Sequence, residues 1–219
     1  MATYATMQAD IADELLNQSA LTSAQIKKAI ERAIASYERR PWWFNTLSGT
    51  FLTVAGQEYY TTPAASFIPN MIEIQSAMIT VSGSKQRLDP ALFSDIEEAQ
   101  TSNGVPTRYA MLTGQIRLFP VPNSVYTVTL GYVGRLAALV NAADENAWTT
   151  FAEELIRQAA KRRLAMDITD DDGLALRCKA LETEAYTDLM HENRRRNPVK
   201  LRRVDLPGMS STFDIASGM

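Results

Sequence analysis

The most densely charged stretch of the chain is basic and could bind an anionic partner. Residues 194–203 read RRRNPVKLRR, with six basic side chains in ten positions. Such side chains neutralise DNA phosphates, and they equally steer an acidic protein surface into contact. Charge balance at a helix carboxyl end accounts for the first three arginines only. We therefore predict partner binding here, with a protein favoured over DNA. The predicted partner-binding residues are Arg194, Arg195, Arg196, Lys200, Arg202, Arg203, Phe213 and Ile215.

A run of acidic residues is the second chemical feature. Asp170, Asp171 and Asp172 follow Asp167 closely, and hard cations prefer carboxylate oxygens as ligands. A calcium loop needs its ligands at alternating positions with a closing bidentate carboxylate, and this run lacks that spacing. Aspartate is also a favoured helix cap. We predict that the run marks the start of a helix and does not bind a metal. It is also the one feature that supports the alternative of an enzyme, such as a cell-wall hydrolase.

Cysteine and histidine offer little catalytic chemistry. The chain has one of each, Cys178 and His191, which excludes an internal disulfide and a His/Cys zinc site within one chain. Cys178 falls on an apolar helical stripe, where a thiol acts as a small hydrophobic group. The sequence contains no GxGxxG, Walker A, CxxC or GxSxG motif. We predict no catalytic residues, no cofactor and no enzymatic activity.

Two of the three tryptophans stand together in Trp42-Trp43-Phe44. An exposed aromatic cluster of this kind can stack on bases or insert into a membrane. Aromatic residues at the end of an element more commonly pack it against its neighbours. We favour the packing role.

The composition is that of a globular protein of one large or two small domains. The 219 residues are 46% hydrophobic and carry a net charge of -3. Residues 194–219 carry six positive and two negative charges, so residues 1–193 have a net charge of -7. No run of 18 apolar residues indicates a membrane span, and the amino terminus lacks a secretory signal pattern.

Helices are predicted in the amino-terminal part of the chain. Residues 6–19 have apolar side chains at helical spacing. A second helix begins with a capping box formed by Thr22 and Gln25, and Pro41 ends it.

The middle of the chain reads as strands separated by turns. A tight hairpin is expected at Thr113-Gly114. One short helix interrupts the strands, with Asp89 as its cap and Pro90 in its first position. The predicted strands are TFLTV, EYYTT, MIEIQSAMITV, TRYAML, QIRLF and VYTVTLGYV.

Helices return after residue 147. Thr150 and Glu153 match a second capping box, and Glu153 has the spacing to pair with Arg157. Residues 151–166 and 174–192 are predicted to form an antiparallel helical hairpin.

This order predicts an α+β fold. The amino- and carboxyl-terminal helices form an α-helical bundle beside a central antiparallel β region, followed by an extended C-terminal tail. The expected domains are a discontinuous helical domain of residues 1–47 and 148–196, a β-rich insertion of residues 48–147 with one short helix, and an extended arm of residues 197–219.

The stretch GVPTRYAMLTGQIRLFPVPNSVYTVTLGY, residues 104–132, resembles the head–tail connector proteins of tailed bacteriophages. The similarity is to the tail tubular protein A and gene-4-type adaptors of short-tailed phages. Their pattern is a G-x-P-x-x-Y segment before a hairpin, an L-x-P-x-P turn and a strand that ends in tyrosine. The aromatic cluster at residues 42–44, TVAGQEYY and the helical hairpin after Trp148 match as well, so the resemblance covers about residues 6–193. The matching motif residues are Gly104, Pro106, Tyr109, Leu118, Pro120, Pro122, Tyr126 and Tyr132.

The resemblance implies a structural protein of the virion, located at the head–tail junction and assembled in the host cytoplasm. Its expected partners are the portal protein, a downstream tail, nozzle or stopper protein and eleven further copies in a twelve-subunit ring. Double-stranded DNA would pass through the ring, and no membrane is involved. The position of residues 197–219 suggests an arm that reaches the portal. The alternative is a DNA-binding module that uses residues 194–203 and the Trp42-Trp43 pair.

Overall fold

The computed structural model describes residues 3–15, 21–62, 64–99, 102–112 and 114–196, so the predicted tail lies outside the described residues. Helices lie at both ends and the long strands lie between them, which confirms the α+β class. The helices are α1 (Tyr4–Glu14), α2 (Ser23–Tyr37), α3 (Phe93–Glu98), α4 (Ala147–Phe151), α5 (Glu153–Leu164) and α6 (Asp172–Arg196). The strands are β1 (Thr46–Leu52), β2 (Tyr59–Tyr60), β3 (Met71–Val81), β4 (Ser84–Arg87), β5 (Asp89–Pro90), β6 (Asn103–Gly104), β7 (Arg108–Leu112), β8 (Gln115–Phe119), β9 (Val121–Pro122) and β10 (Thr127–Gly134).

Side-chain caps fix where the first two helices begin. The Thr22 hydroxyl accepts a hydrogen bond from the Gln25 amide at 3.3 Å, and the Gln25 side chain accepts one from the Thr22 amide at 2.8 Å. This confirms the predicted capping box. Helix α1 begins at Tyr4 rather than at residue 6, because the Thr3 hydroxyl caps it by accepting from the Thr6 amide. Helix α2 ends at Tyr37, ahead of Pro41.

The second predicted capping box is wrong. Asn146, not Thr150, caps the helical segment, and its side-chain oxygen accepts from the amides of Trp148 and Thr149 at 2.9 and 3.3 Å. This cap starts the short helix α4 one turn early, and the chain then bends at Ala152 before α5 begins. The salt bridge predicted between Glu153 and Arg157 is replaced by one between Glu154 and Arg157.

Helices α5 and α6 form the predicted antiparallel hairpin. Arg162 near the end of α5 pairs with Glu182 of α6, and Phe151 just before α5 meets Arg196 at the end of α6. Helix α2 also packs against α5, as a third member of the bundle. Their cluster of buried side chains includes Ile30, Ile156 and Leu164, together with α1 residues.

The strands form two four-stranded sheets that share a core. The first has the order β1-β10-β3-β4 and is antiparallel throughout, and the second has the order β2-β8-β7-β5. Phe51, Val128 and Ile79 lie opposite one another across the first sheet. All three are buried against the second sheet's Tyr60 and Ile116. Only the two-residue contacts β5–β7 and β6–β9 are parallel among the described strands.

The phage-connector motif forms neighbouring parts of this β region. Tyr109 of β7 lies opposite Leu118 of β8, and both are buried. Gly104 of β6 lies beside Pro122 of β9. The G-x-P-x-x-Y segment and the L-x-P-x-P turn therefore pack side by side, which indicates a structural role for the motif.

Several elements differ from the sequence prediction. Asp89 and Pro90 do not begin a helix, because the Asp89 amide donates to Thr107 O and draws both residues into β5. Helix α3 starts later, after Leu92, with no side-chain cap. Strand β4 was not predicted, because all its residues are exposed and show no apolar alternation.

The division into a discontinuous helical domain and an inserted β-rich domain stays a prediction. Within the described residues, no helix combines the length and apolar character needed to cross a membrane.

Candidate partner-binding site

A tight loop after α2 presents the aromatic cluster. Asn45 is fully buried and builds the loop, because its side chain donates to Glu38 O and Arg40 O at 3.1 and 2.9 Å. Its oxygen accepts from the Trp42 amide at 2.7 Å. Trp42 is 0% exposed, so its indole cannot stack on a base or insert into a membrane. The predicted packing role is confirmed for this residue.

The other aromatic rings connect the loop to helix α4. Phe44 lies edge-on to Trp148 with ring centroids 5.0 Å apart, and Trp43 lies 5.7 Å from Phe151. Phe151 is 43% exposed, so the outer end of this stack reaches the surface. Phe151 ends α4 and precedes the bend at Ala152, so it lies outside α5.

The last turn of α6 packs on the aromatic surface formed by Trp43 and Phe151. Asn193 accepts a hydrogen bond from the Trp43 amide at 2.8 Å and donates one to Pro41 O at 3.1 Å. The Arg196 guanidinium lies 4.8 Å from the Trp43 ring centroid and 5.7 Å from that of Phe151. These contacts hold the end of α6 at a fixed place and in a fixed orientation on the protein.

The predicted basic residues differ in what they contact. Arg196 forms a salt bridge with Glu192 one turn earlier, in addition to its aromatic contacts. Arg194 and Arg195 are exposed, and among the described residues neither has a carboxylate partner. These two guanidinium groups are free to meet a partner. Lys200, Arg202, Arg203, Phe213 and Ile215 lie outside the described residues.

The acidic run has structural roles. Asp171 accepts a hydrogen bond from the Leu174 amide at 2.9 Å and so caps α6, as predicted. Asp167 forms a salt bridge with Arg32 at 3.5 Å. No group of three or more possible metal ligands occurs within the residues that the structure describes.

The lone cysteine is not placed for nucleophilic chemistry. Cys178 is buried between helices, and burial raises the pKa of its thiol, which disfavours the reactive thiolate. His191 is exposed on α6. The residue that sequence reasoning missed is Asn193, because nothing in HENRRR indicates which side chain will reach the loop after α2.

Comparison with known proteins identifies a family for this chain. The family model described as SU10 adaptor protein matches residues 2–203, nearly the whole chain. No curated protein matches the chain. The narrower likeness to tail tubular protein A and gene-4-type adaptors stays a prediction. The chain therefore belongs to the SU10 adaptor protein family, which makes it a structural adaptor protein of a phage.

Proposed function

We propose that this adaptor forms a twelve-subunit ring beneath the portal at the head–tail junction. The ring extends the DNA channel and provides the attachment site for a downstream tail, nozzle or stopper protein. Residues 197–219 act as an arm that docks on the portal, and assembly takes place in the host cytoplasm. The family membership supports the adaptor role.

One observation carries the portal-binding part of the proposal. Asn193 and Arg196 hold the last turn of α6 on the loop after α2, while Arg194 and Arg195 remain exposed. The carboxyl end of α6 is held rigidly and carries cations that are unpaired among the described residues. An arm that follows such a helix end can be guided to an acidic surface and become ordered when it binds.

The charge of the body supports a role as a DNA conduit. Residues 1–193 carry a net charge of -7. Acidic walls repel phosphate, so DNA can move through such a channel without being held.

A truncated chain tests the arm. We expect a variant ending at Arg196 to keep the melting temperature of the full chain but to lose binding to the portal ring in a pull-down assay. The matched control keeps the full length and carries Arg202→Lys and Arg203→Lys, which preserve the charge. Undiminished portal binding by the truncated chain would refute the arm assignment.

A DNA-binding module is the second candidate, and the two free arginines favour it. It requires salt-dependent binding to double-stranded DNA that disappears when Arg194 and Arg195 are both changed to Gln. Fluorescence anisotropy with a labelled duplex at low salt measures this directly. Absence of binding by the native chain removes this candidate.

A further inference from the structure

Helix α6 separates two surfaces of opposite charge. A depression of about 320 Å³ lies between α6 and α2, and its cations are Arg40, Arg162 and Lys179, which we name the basic flank. A depression of about 240 Å³ lies between α6 and the start of α5. The charged residues that line it are Glu154, Asp188 and Glu192, which we name the acidic flank.

The basic flank has two cations that pair with no carboxylate among the described residues. Its one carboxylate, Glu182, is only 7% exposed and is engaged by the Tyr37 hydroxyl and by Arg162. Arg40 lies 5.2 Å from the Tyr186 ring centroid. Within the described residues, neither Arg40 nor exposed Lys179 pairs with a carboxylate. The surface therefore offers two positive charges to an incoming group.

The acidic flank has the complementary excess. Glu154 pairs with Arg157, and Glu192 pairs with Arg196. Asp188 is exposed and has no cation partner among the described residues. No basic side chain lines this depression. Hydrogen bonds from Gln158 and Arg157 outweigh the effect of burial and lower the pKa of Glu154, so this carboxyl stays ionised at neutral pH.

The two flanks lie on different sides of α6. Lys179 and Asp188 are nine residues apart on one continuous helix, and at about 100° per residue they lie on opposite sides of it. A twofold contact that uses one flank twice would bring like charges together, which is unfavourable. A head-to-tail contact instead joins opposite charges at every junction.

We propose that a second copy of this chain is the occupant of each flank, with the acidic flank of one copy seated on the basic flank of the next and Asp188 facing Lys179. Repeated head to tail, this contact closes into the ring. The inference rests on the ring assembly proposed above and names the surfaces that build it.

A charge exchange between variants tests the contact. The variants are Lys179→Glu, Asp188→Lys and the chain that carries both changes. Lys27→Glu and Glu98→Lys are the matched controls, because both positions are exposed on helices and line neither flank. Mass photometry counts copies per particle, with and without the portal ring, at about 50 mM salt where screening is weak.

Each single variant should assemble at least about tenfold more weakly than the native chain, because every junction then opposes like charges. An equal mixture of the two single variants should recover assembly, since each junction in an alternating ring regains an opposite pair. The chain with both changes should assemble alone, and both controls should behave like the native chain.

The outcomes separate this inference from the proposed function. If the native chain and both single variants all form intact rings, the contact between the flanks is wrong. The proposed ring is then unaffected. Failure of the mixture to recover overturns it as well. A native chain that stays monomeric, alone and with the portal ring, overturns both the ring and this contact.

Discussion

Asn193 joins the end of α6 to the loop after α2 through both ends of its amide group. Replacing it with alanine leaves the partly buried Trp43 amide without its acceptor, which should lower the free energy of unfolding by about 1–3 kcal/mol. Urea denaturation measures the loss. Asn193→Asp keeps the acceptor and should lose less, and His191→Ala, an exposed change nearby, should lose almost nothing. Equal stability of Asn193→Ala and the native chain would contradict this role.

Asp144 makes the second prediction at this scale. Its carboxylate accepts hydrogen bonds from the amides of Asn141 and Val140 at 2.7 and 2.8 Å, and these bonds lower its pKa. The backbone of the same loop binds the start of α1, because the Tyr4 amide donates to Asp144 O.

Because the pKa of Asp144 is lower in the folded chain, its stabilising effect is complete above the unfolded pKa of about 3.9. The effect is lost as the pH falls through the lower folded pKa. We expect the urea midpoint of the native chain to fall more steeply below about pH 4 than that of Asp144→Asn. Parallel pH profiles would contradict the assignment.

Among the elements, β1 depends on a glycine at a close approach. A Cβ atom on Gly49 would lie 2.7 Å from the Phe67 ring, which itself stacks on Tyr132 at 5.2 Å. Gly49→Ala should therefore lower the free energy of unfolding by about 1–3 kcal/mol through overpacking. In a thermal denaturation cycle, Phe67→Leu should absorb part of that loss. Strictly additive losses would show that the ring and the added methyl group do not meet.

The elements also show what a single sequence can predict. The capping box of Thr22 and Gln25 is a local signal, and the structure bears it out. Asp89-Pro90 carries an equally good local signal for a helix, but pairing with β7 overrides it. The pattern of charges predicted the basic end of α6. The contact between Asn193 and Trp43 joins residues 150 positions apart, so no local pattern could reveal it.

At the scale of the whole molecule, α6 has a rigidly held carboxyl end and a charged flank on either side. The aromatic surface around Trp43 fixes the end of α6, and Arg194 and Arg195 extend beyond its contacts. The flanks on either side of α6 carry the opposite charges that head-to-tail neighbours require. Both features use the same helix, so self-assembly and portal docking would be coupled through α6.

The central claim is that this chain assembles as a ring on the portal. The most direct measurement is mass photometry, supported by negative-stain imaging, of the native chain alone and after mixing with portal rings. We expect particles of twelve copies that stack on the portal in the mixture, and rings in the isolated sample would show that the portal is not required. A chain that remains monomeric and leaves the portal rings unchanged in mass would contradict the account.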